Sequence, residues 1–466
     1  MTRRVRSPDS TRSGPVVLVF GELGIGNLGN EASLTEALRR LHTHLPGARV
    51  QVLSYDPART AAEHEGEHPG WSAEPIGAPG RDARAGPPPG RWTTLARQLA
   101  DAGRVARASR GADLVVVPGT GIFEELWMGP WGVPVLLLGL AAGARAHRAP
   151  LVVVAVGADL PRRRLTRWMF SRTLRSARLV TFRDVHSLAA GTAMIGGRGG
   201  ALLAPDLVLG APAPDLSSPD GEAADDESAD DHAPENDAAR EPADGHAPPR
   251  LVLGVMRYYG TSDDTYSTDG AATHERYVAA LADVARRVVE RGWTVDVVVG
   301  DEGDRPVVHE LVERLGAGVR ARPVSTMREL DDVVAGSTAV VASRYHNVVS
   351  AIRAAVPVVS VSYGPKGHSL MAQVGMDTSC QWIEELDADR LMTQLDDVVA
   401  RSAEITPRLR ETTTTLRAAA HAPWTAAAEL VGTRARSGTD APGASEPTTA
   451  APASAHGGSA LVDEPA

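Results

Sequence analysis

Short runs of β-branched and aliphatic residues recur along the chain, each followed by a stretch in which apolar positions return at helical spacing. That alternation marks βαβ units and a parallel sheet. In the first half, strands are expected near Val16 to Phe20, Arg49 to Leu53, Asp113 to Val117, Leu151 to Val156 and Leu179 to Phe182, with a short last strand near Ala201 to Ala204. Helices are expected near Glu31 to Leu45, Trp92 to Ala108, Gly132 to Ala146, Leu165 to Ala177 and Asp184 to Ala190. The second half repeats the scheme. Its strands fall near Leu251 to Met256, Thr294 to Val299, Val319 to Arg322, Ala339 to Ala342 and Val358 to Val361. Its helices fall near His274 to Arg291, Pro306 to Leu315, Met327 to Ala335 and Asn347 to Ala355, before Gly367 to Val374 and a helical tail over Asp387 to Ala420. The pattern predicts an α/β protein of two doubly wound, Rossmann-like domains, residues 15–210 and 251–430. Residues 57–90 read as a long loop. Ligands of such sheets bind beyond the carboxyl ends of the strands, so the crevice between the domains is the expected site.

Charge changes this picture in one place. The chain carries 48 basic and 58 acidic residues for a net charge of -10. Residues 211–250 hold twelve Asp or Glu against Arg240 and Arg250, which accounts for the whole excess. The remainder is electrically neutral, with no basic stripe that would neutralise a nucleic-acid backbone. Low hydrophobicity and charge of one sign predict that residues 211–250 form a disordered linker, as do the basic N-terminus (1–14) and the tail (431–466). Cys380 is the only cysteine. No intrachain disulfide is available, no apolar run reaches the length of a membrane span, and the N-terminus lacks the apolar core of a secretory signal. A cytoplasmic protein is expected. No metal-ligand spacing appears, and neither a metal nor another cofactor is expected.

Three segments carry candidate chemistry. After the first strand, Gly24, Gly26 and Gly29 satisfy G-x-G-x-x-G at a helix start, where backbone amides can approach a phosphate, and Asn27 and Asn30 can cap or bind. A nicotinamide site is disfavoured: the acid expected about 20 residues on is found later, at Asp56. In the second half, Ser343-Arg344-Tyr345-His346-Asn347 joins a strand end to a helix start. A guanidinium grips carboxylate or phosphate oxygens bidentately, and an imidazole two residues away moves protons near neutral pH. The next strand ends in Ser362-Tyr363-Gly364-Pro365-Lys366-Gly367-His368, and Lys366 is the only lysine among 48 basic residues. Arg257 closes the first strand of that domain and is expected at the same edge. Convergent cations beside a proton carrier suit a small, multiply anionic substrate. The third segment, Pro161 to Arg178, contains Arg162, Arg163, Arg164, Arg167, Arg172, Arg175 and Arg178 with no acid, beside Leu165, Trp168 and Met169. It reads either as a solvated helix face or as one that lies on an anionic membrane.

Gly24 to Ala32, the Arg344/His346 pair and the Tyr363/Lys366 strand end together resemble the polysaccharide pyruvyl transferase family, as does Phe182-Arg183-Asp184 with Ser187. The resemblance covers about residues 15 to 400. Where relatives often carry a glycine run after the third strand, this chain has Pro118-Gly119-Thr120-Gly121. The resemblance implies two facing Rossmann-like domains of GT-B type. It also implies transfer of the enolpyruvyl unit of phosphoenolpyruvate to a saccharide or lipid-linked saccharide, giving a pyruvate ketal and phosphate. On that footing Arg344 holds the donor with Arg257 as a second clamp, His346 is the acid/base and Lys366 supports the leaving phosphate. Tyr363, His368, Asn347 and the Gly24 to Asn30 loop line the substrate site. Two other readings stand beside it: a GT-B glycosyltransferase using a nucleotide sugar, and a saccharide-binding module without catalysis.

Overall fold

A computed structural model describes residues 14–65, 69–76, 91–125, 129–197, 200–212, 248–260 and 268–437. Most of the expected N-terminal arm, acidic linker and C-terminal tail lies outside the described residues. The first sheet contains β1 (Val16–Phe20), β2 (Arg49–Ser54), β3 (Trp71–Pro75), β4 (Leu114–Pro118), β5 (Leu151–Val156), β6 (Leu179–Phe182) and β7 (Leu202–Leu203). The second contains β8 (Arg250–Gly254), β9 (Thr294–Val298), β10 (Val319–Ala321), β11 (Ala339–Ala342), β12 (Val358–Ser362) and β13 (Cys380–Trp382). Their spatial orders are β3-β2-β1-β4-β5-β6-β7 and β10-β9-β8-β11-β12-β13. All pairings within them are parallel. Both sheets therefore reverse direction beside their first strand, between β1 and β4 and between β8 and β11. The two-domain, Rossmann-like α/β architecture expected from the pattern is the one observed.

The central strands read as continuous apolar runs because helices cover both faces of a parallel sheet. β4 is buried at all five positions and β5 at all six. Each Val or Leu so placed contributes roughly 1.5–3 kcal/mol relative to exposure. Three elements depart from the sequence expectation. The presumed loop after β2 contains a helix, Pro57–Glu63, capped by the Asp56 side chain, and the edge strand β3. β3 (Trp-Ser-Ala-Glu-Pro) is mostly exposed and has no β-branched residue, so its pattern does not read as a strand. β13 is likewise a three-residue edge strand. The helical tail expected over Asp387 to Ala420 is two helices, Ala388–Ala400 and Ser402–Ala419, and a third, Ala422–Ser437, follows and extends into residues 431–437 that the composition assigned to a disordered tail. The last returns to the first sheet: Trp424, 1% exposed, packs in one apolar cluster with Val17, Val19, Val152 and Ala204.

Candidate functional site

The chain places its chemistry at the two points where strand order reverses, as expected for open α/β sheets. Glu22 follows β1 and Glu124 follows β4; Arg257 follows β8, and Arg344 and His346 follow β11. The domains meet across these ends. The loop after β9 pairs with the glycine loop after β1: Leu28 N–H donates to the Gly300 carbonyl (3.2 Å) and Glu302 N–H to the Gly26 carbonyl (3.0 Å). Asn27 Nδ2 donates to Asp301 Oδ2 at 3.0 Å, and the Arg59 guanidinium grips both Glu302 carboxylate oxygens at 2.7 and 3.0 Å.

This pairing gives the glycine loop another role than the sequence suggests. Gly24 and Gly26 have φ of +73° and +82°, a backbone that glycine adopts without strain. Yet several amides of the loop already have partners. Gly24 N–H donates to Glu31 Oε1 (2.7 Å), Leu28 N–H to Gly300, and Asn30 N–H to the Asn27 side chain (3.1 Å). Asn27 is thus the N-cap of helix Leu28–His44 as well as a tie to the second domain. Asn30 Nδ2 donates to the Glu22 carbonyl, fixing the turn from which the Glu22 side chain departs. Gly29 is small for a packing reason: a Cβ there would lie 1.8 Å from Nδ1 of His346. The helix start of one domain is seated on the imidazole of the other.

Around that imidazole the cations converge, and nearly all have carboxylate partners. Arg344 holds Asp304 bidentately through Nε and Nη2, both at 2.7 Å, so its fork is engaged within the protein. Arg257 N–H also donates to Asp304 Oδ1 at 2.8 Å. The exposed Arg257 guanidinium lies 5.5 Å from the Tyr259 ring centre and has no carboxylate partner among the described residues. Lys366 Nζ bridges the crevice to Glu124, 3.2 and 3.0 Å from its two oxygens. Arg183, 2% exposed, bonds Asp206 at 3.3 Å and stacks 4.3 Å from the Tyr345 ring centre. Tyr345 in turn sits edge-on to His346.

These charges set the protonation of the two groups able to move a proton. Burial, reinforced by the positive charges of Arg183, Lys366 and Arg344, holds His346 well below its ordinary value, so the imidazole is neutral at pH 7. Its Nε2 is buried without a hydrogen-bond partner among the described residues. Glu22 behaves oppositely: burial and the neighbouring Glu124 carboxylate, opposed by Lys366, push it up to about 7. Burial pulls Lys366 down, but Glu124 and Tyr363 together outweigh it and the ammonium stays charged.

Of the residues singled out in the sequence, Tyr363 and Lys366 line one recess at the ends of β11 and β12, together with Ser343, Tyr345, Ser360 and Ser362. Lys366 Nζ is 4.8 Å from the Tyr363 ring centre. His368 lies tilted against Trp382, with centroids 4.1 Å apart, and its Nε2 has no partner among the described residues. Asn347 is 1% exposed and wedged between Gly254 and Gly300, so it props the strand ends from beneath. Glu22, Glu124, Asp304 and Tyr345 were not anticipated. Glu124 and the adjacent Glu125 diverge: the first turns to Lys366, and Glu125 accepts from the Arg162 and Arg163 amides. Outside the crevice core, Glu31, Glu63 and His64 bring ligand atoms within 4.8 Å of one another, a spacing scattered in sequence. Glu31 and His64 already hydrogen-bond at 3.3 Å.

A comparison with curated proteins finds no match. Among solved structures the chain is similar to a putative UDP-N-acetylglucosamine 2-epimerase from Listeria monocytogenes (12% identity, TM-score 0.50, covering 94% of this chain and 100% of that one). It is similar also to a glycosyltransferase from Rickettsia africae (9%, 0.50, 91% and 97%). A third is the UDP-GlcNAc 2-epimerase of Neisseria meningitidis (8%, 0.50, 91% and 100%), solved with UDP-GlcNAc bound. At such identities the likeness is one of fold, the two-domain GT-B arrangement. A family model described as polysaccharide pyruvyl transferase matches residues 27–365. That span runs from the N-cap of the first helix to Pro365, the residue before Lys366, and the chain belongs to the polysaccharide pyruvyl transferase family.

Proposed function

We propose that the protein transfers the enolpyruvyl unit of phosphoenolpyruvate to two hydroxyls of a saccharide, forming a pyruvate ketal and releasing phosphate. The observation that carries this reading is the crevice itself: Arg183, Lys366 and Arg344 act on a neutral imidazole, Arg257 follows a neighbouring strand end, and a protonatable carboxyl faces Glu124 and Lys366. The donor's carboxylate and phosphate meet Arg257, which has no carboxylate partner among the described residues, and displace Glu124 from Lys366, while Arg344 and Arg183 keep their own carboxylates. In the first step C3 of the enol takes a proton, leaving an oxocarbenium-like centre at C2. A saccharide hydroxyl adds there and gives up its proton; the C2–O bond to phosphate then breaks, and the second hydroxyl closes the ketal with loss of its proton. One of these two protons replaces that delivered to C3, and the other leaves with phosphate. Glu22, protonated up to about pH 7, is the proton donor. His346, neutral with an open Nε2, is the acceptor for the attacking hydroxyl. Lys366 steadies the leaving phosphate and exchanges Glu124 for it.

The test is phosphate release from phosphoenolpyruvate against a panel of saccharide acceptors, with nucleotide sugars in parallel. Acceptor-dependent release supports the reading. Consumption of a nucleotide sugar without it would establish the glycosyltransferase alternative, and saccharide binding without turnover the binding module. Because kcat/KM reports the free enzyme, it is expected to fall as pH rises above about 7, where Glu22 loses its proton. Glu22→Gln should lose most activity at every pH; a variant with the wild-type rate and pH profile would remove Glu22 from the mechanism.

A further inference from the structure

The arginine-rich segment finds no use in the crevice, and its exposed apolar side chains need a different account. Helix Arg164–Ser176 buries Thr166, Met169, Phe170, Thr173 and Leu174 against the first domain. Its outward face carries Leu165 (41% exposed) and Trp168 (51%) at positions i and i+3, with Arg172 one turn further on. Leu160 (47%) and Val185 (65%) adjoin it: each is next in sequence to a member of the Asp159–His186 pair, which closes to 2.6 Å. Large apolar groups this exposed cost free energy in water unless something covers them. The nearby acids neutralise the patch only in part, Glu125 lying 3.5 Å from the Arg163 guanidinium. Asp159 is taken by His186, and Glu125 by the Arg162 and Arg163 amides and Thr166 Oγ1 (2.9 Å). Arg164 and Arg172 are exposed and have no carboxylate partner among the described residues. Arg172 lies 6.0 Å from the Trp168 ring centre, so cation and indole present one surface.

We propose that this face docks on an anionic lipid bilayer, with Trp168, Leu165, Leu160 and Val185 entering the interface and the arginines pairing with lipid phosphates. Two large exposed apolar groups one turn apart beside arginines without carboxylate partners favour an interfacial face over a merely solvated one. The apolar depth is that of an interfacial helix lying in the headgroup plane, not of a span. The patch also adjoins the crevice. Glu125, which holds the start of the helix, is the chain neighbour of Glu124, which holds Lys366. A membrane seated here would therefore border the mouth of the site and favour an acceptor carried on a lipid. The docking itself does not rest on the proposed reaction, since it concerns a surface outside the proton-transfer groups.

The test is co-sedimentation of the full-length protein with phosphatidylcholine vesicles, with and without about one-third phosphatidylglycerol. Wild type is expected to bind the anionic vesicles at about 0.15 M salt, to bind the neutral ones far less, and to release at about 1 M salt. Each arginine near such a surface contributes about fivefold in partitioning, so Arg164→Ser/Arg172→Ser should lose about 25-fold. Trp168→Ser should lose severalfold with every charge kept. Arg328→Ser/Arg410→Ser makes the same charge change at exposed positions elsewhere and should bind as wild type, and circular dichroism melting checks that all variants fold. The proposal is overturned if wild type does not prefer anionic vesicles, or if the folded Arg164/Arg172 and Trp168 variants bind as wild type does. Equal loss in the Arg328/Arg410 control would also overturn it, as mere net-charge attraction.

Discussion

Replacing Gly29 by Ala sets two effects of opposite sign against each other. Gly29 lies in the first turn of helix Leu28–His44, where alanine is the better helix former by up to about 1 kcal/mol. Considered as a domain by itself, the first half should gain slightly or stay unchanged. Across the crevice, however, the new Cβ would stand 1.8 Å from Nδ1, 2.1 Å from Cγ and 2.2 Å from Cε1 of His346. No side-chain Cβ tolerates such distances, and the imidazole has Tyr345 against it, so the ring cannot yield freely. Overpacking of this kind costs typically about 1–3 kcal/mol. That cost falls on the closed pairing of the domains, not on either core. A displacement of about 1 Å at a catalytic group is worth about a hundredfold in rate. Gly29→Ala is therefore expected to lower kcat/KM for phosphoenolpyruvate about 10- to 100-fold while its melting temperature stays within about 2 °C of wild type. The double variant Gly29→Ala/His346→Ala keeps the new Cβ but removes the imidazole it strikes, so in a double-mutant cycle on domain closure, followed by small-angle scattering, the two changes should be strongly non-additive. Wild-type turnover in Gly29→Ala, or additive effects in the cycle, would refute the seating of helix on imidazole.

Two further outcomes follow from the same structure. Trp424→Ala removes the indole that fastens the last helix to the first sheet and should cost about 3–5 kcal/mol, or roughly 6–20 °C in the melting of that domain; Trp424→Phe should cost much less, since it keeps the ring and deletes a buried Nε1 that has no partner among the described residues. A transition unchanged in Trp424→Ala would mean that the helix contributes no stability to the first domain. His346 is held below its unfolded value of about 6.5, so the folded state resists its protonation: this contribution is intact above about pH 6.5 and is lost as pH falls through that value. His346→Ala should flatten part of the decline in stability between about pH 7.5 and 5.5, by at most about 1.4 kcal/mol per pH unit. The slope does not vanish, because His44, His368 and His421 are also held low by burial. Denaturant titrations with an unaltered slope would contradict the placement of His346.

What could be read from the chain, and what could not, follows from the range of the interactions. Runs such as Val16–Phe20 and Leu151–Val156 announce themselves because a strand covered on both faces must be apolar throughout, a demand met within five or six residues. Edge strands such as Trp71–Pro75 meet no such demand and leave no pattern. The site divides in the same way. Arg344, His346 and Lys366 were visible because strand ends are local features and Lys366 is the only lysine, whereas their counter-charges come from afar: Asp304 is 40 residues before Arg344, and Glu124 is 242 before Lys366. Sequence therefore displays the cations of this crevice without the carboxylates that hold them, and makes Arg344 look like a free clamp. The structure makes it a fixed one, braced on Asp304 and presenting only what the fork leaves over. Gly29 is the sharper instance. Its place in a glycine loop suggests room for a phosphate, but the space left by its missing side chain is filled by His346 from the other domain. A glycine conserves space without saying for whom, and here the occupant is the imidazole on which the proposed proton transfer depends.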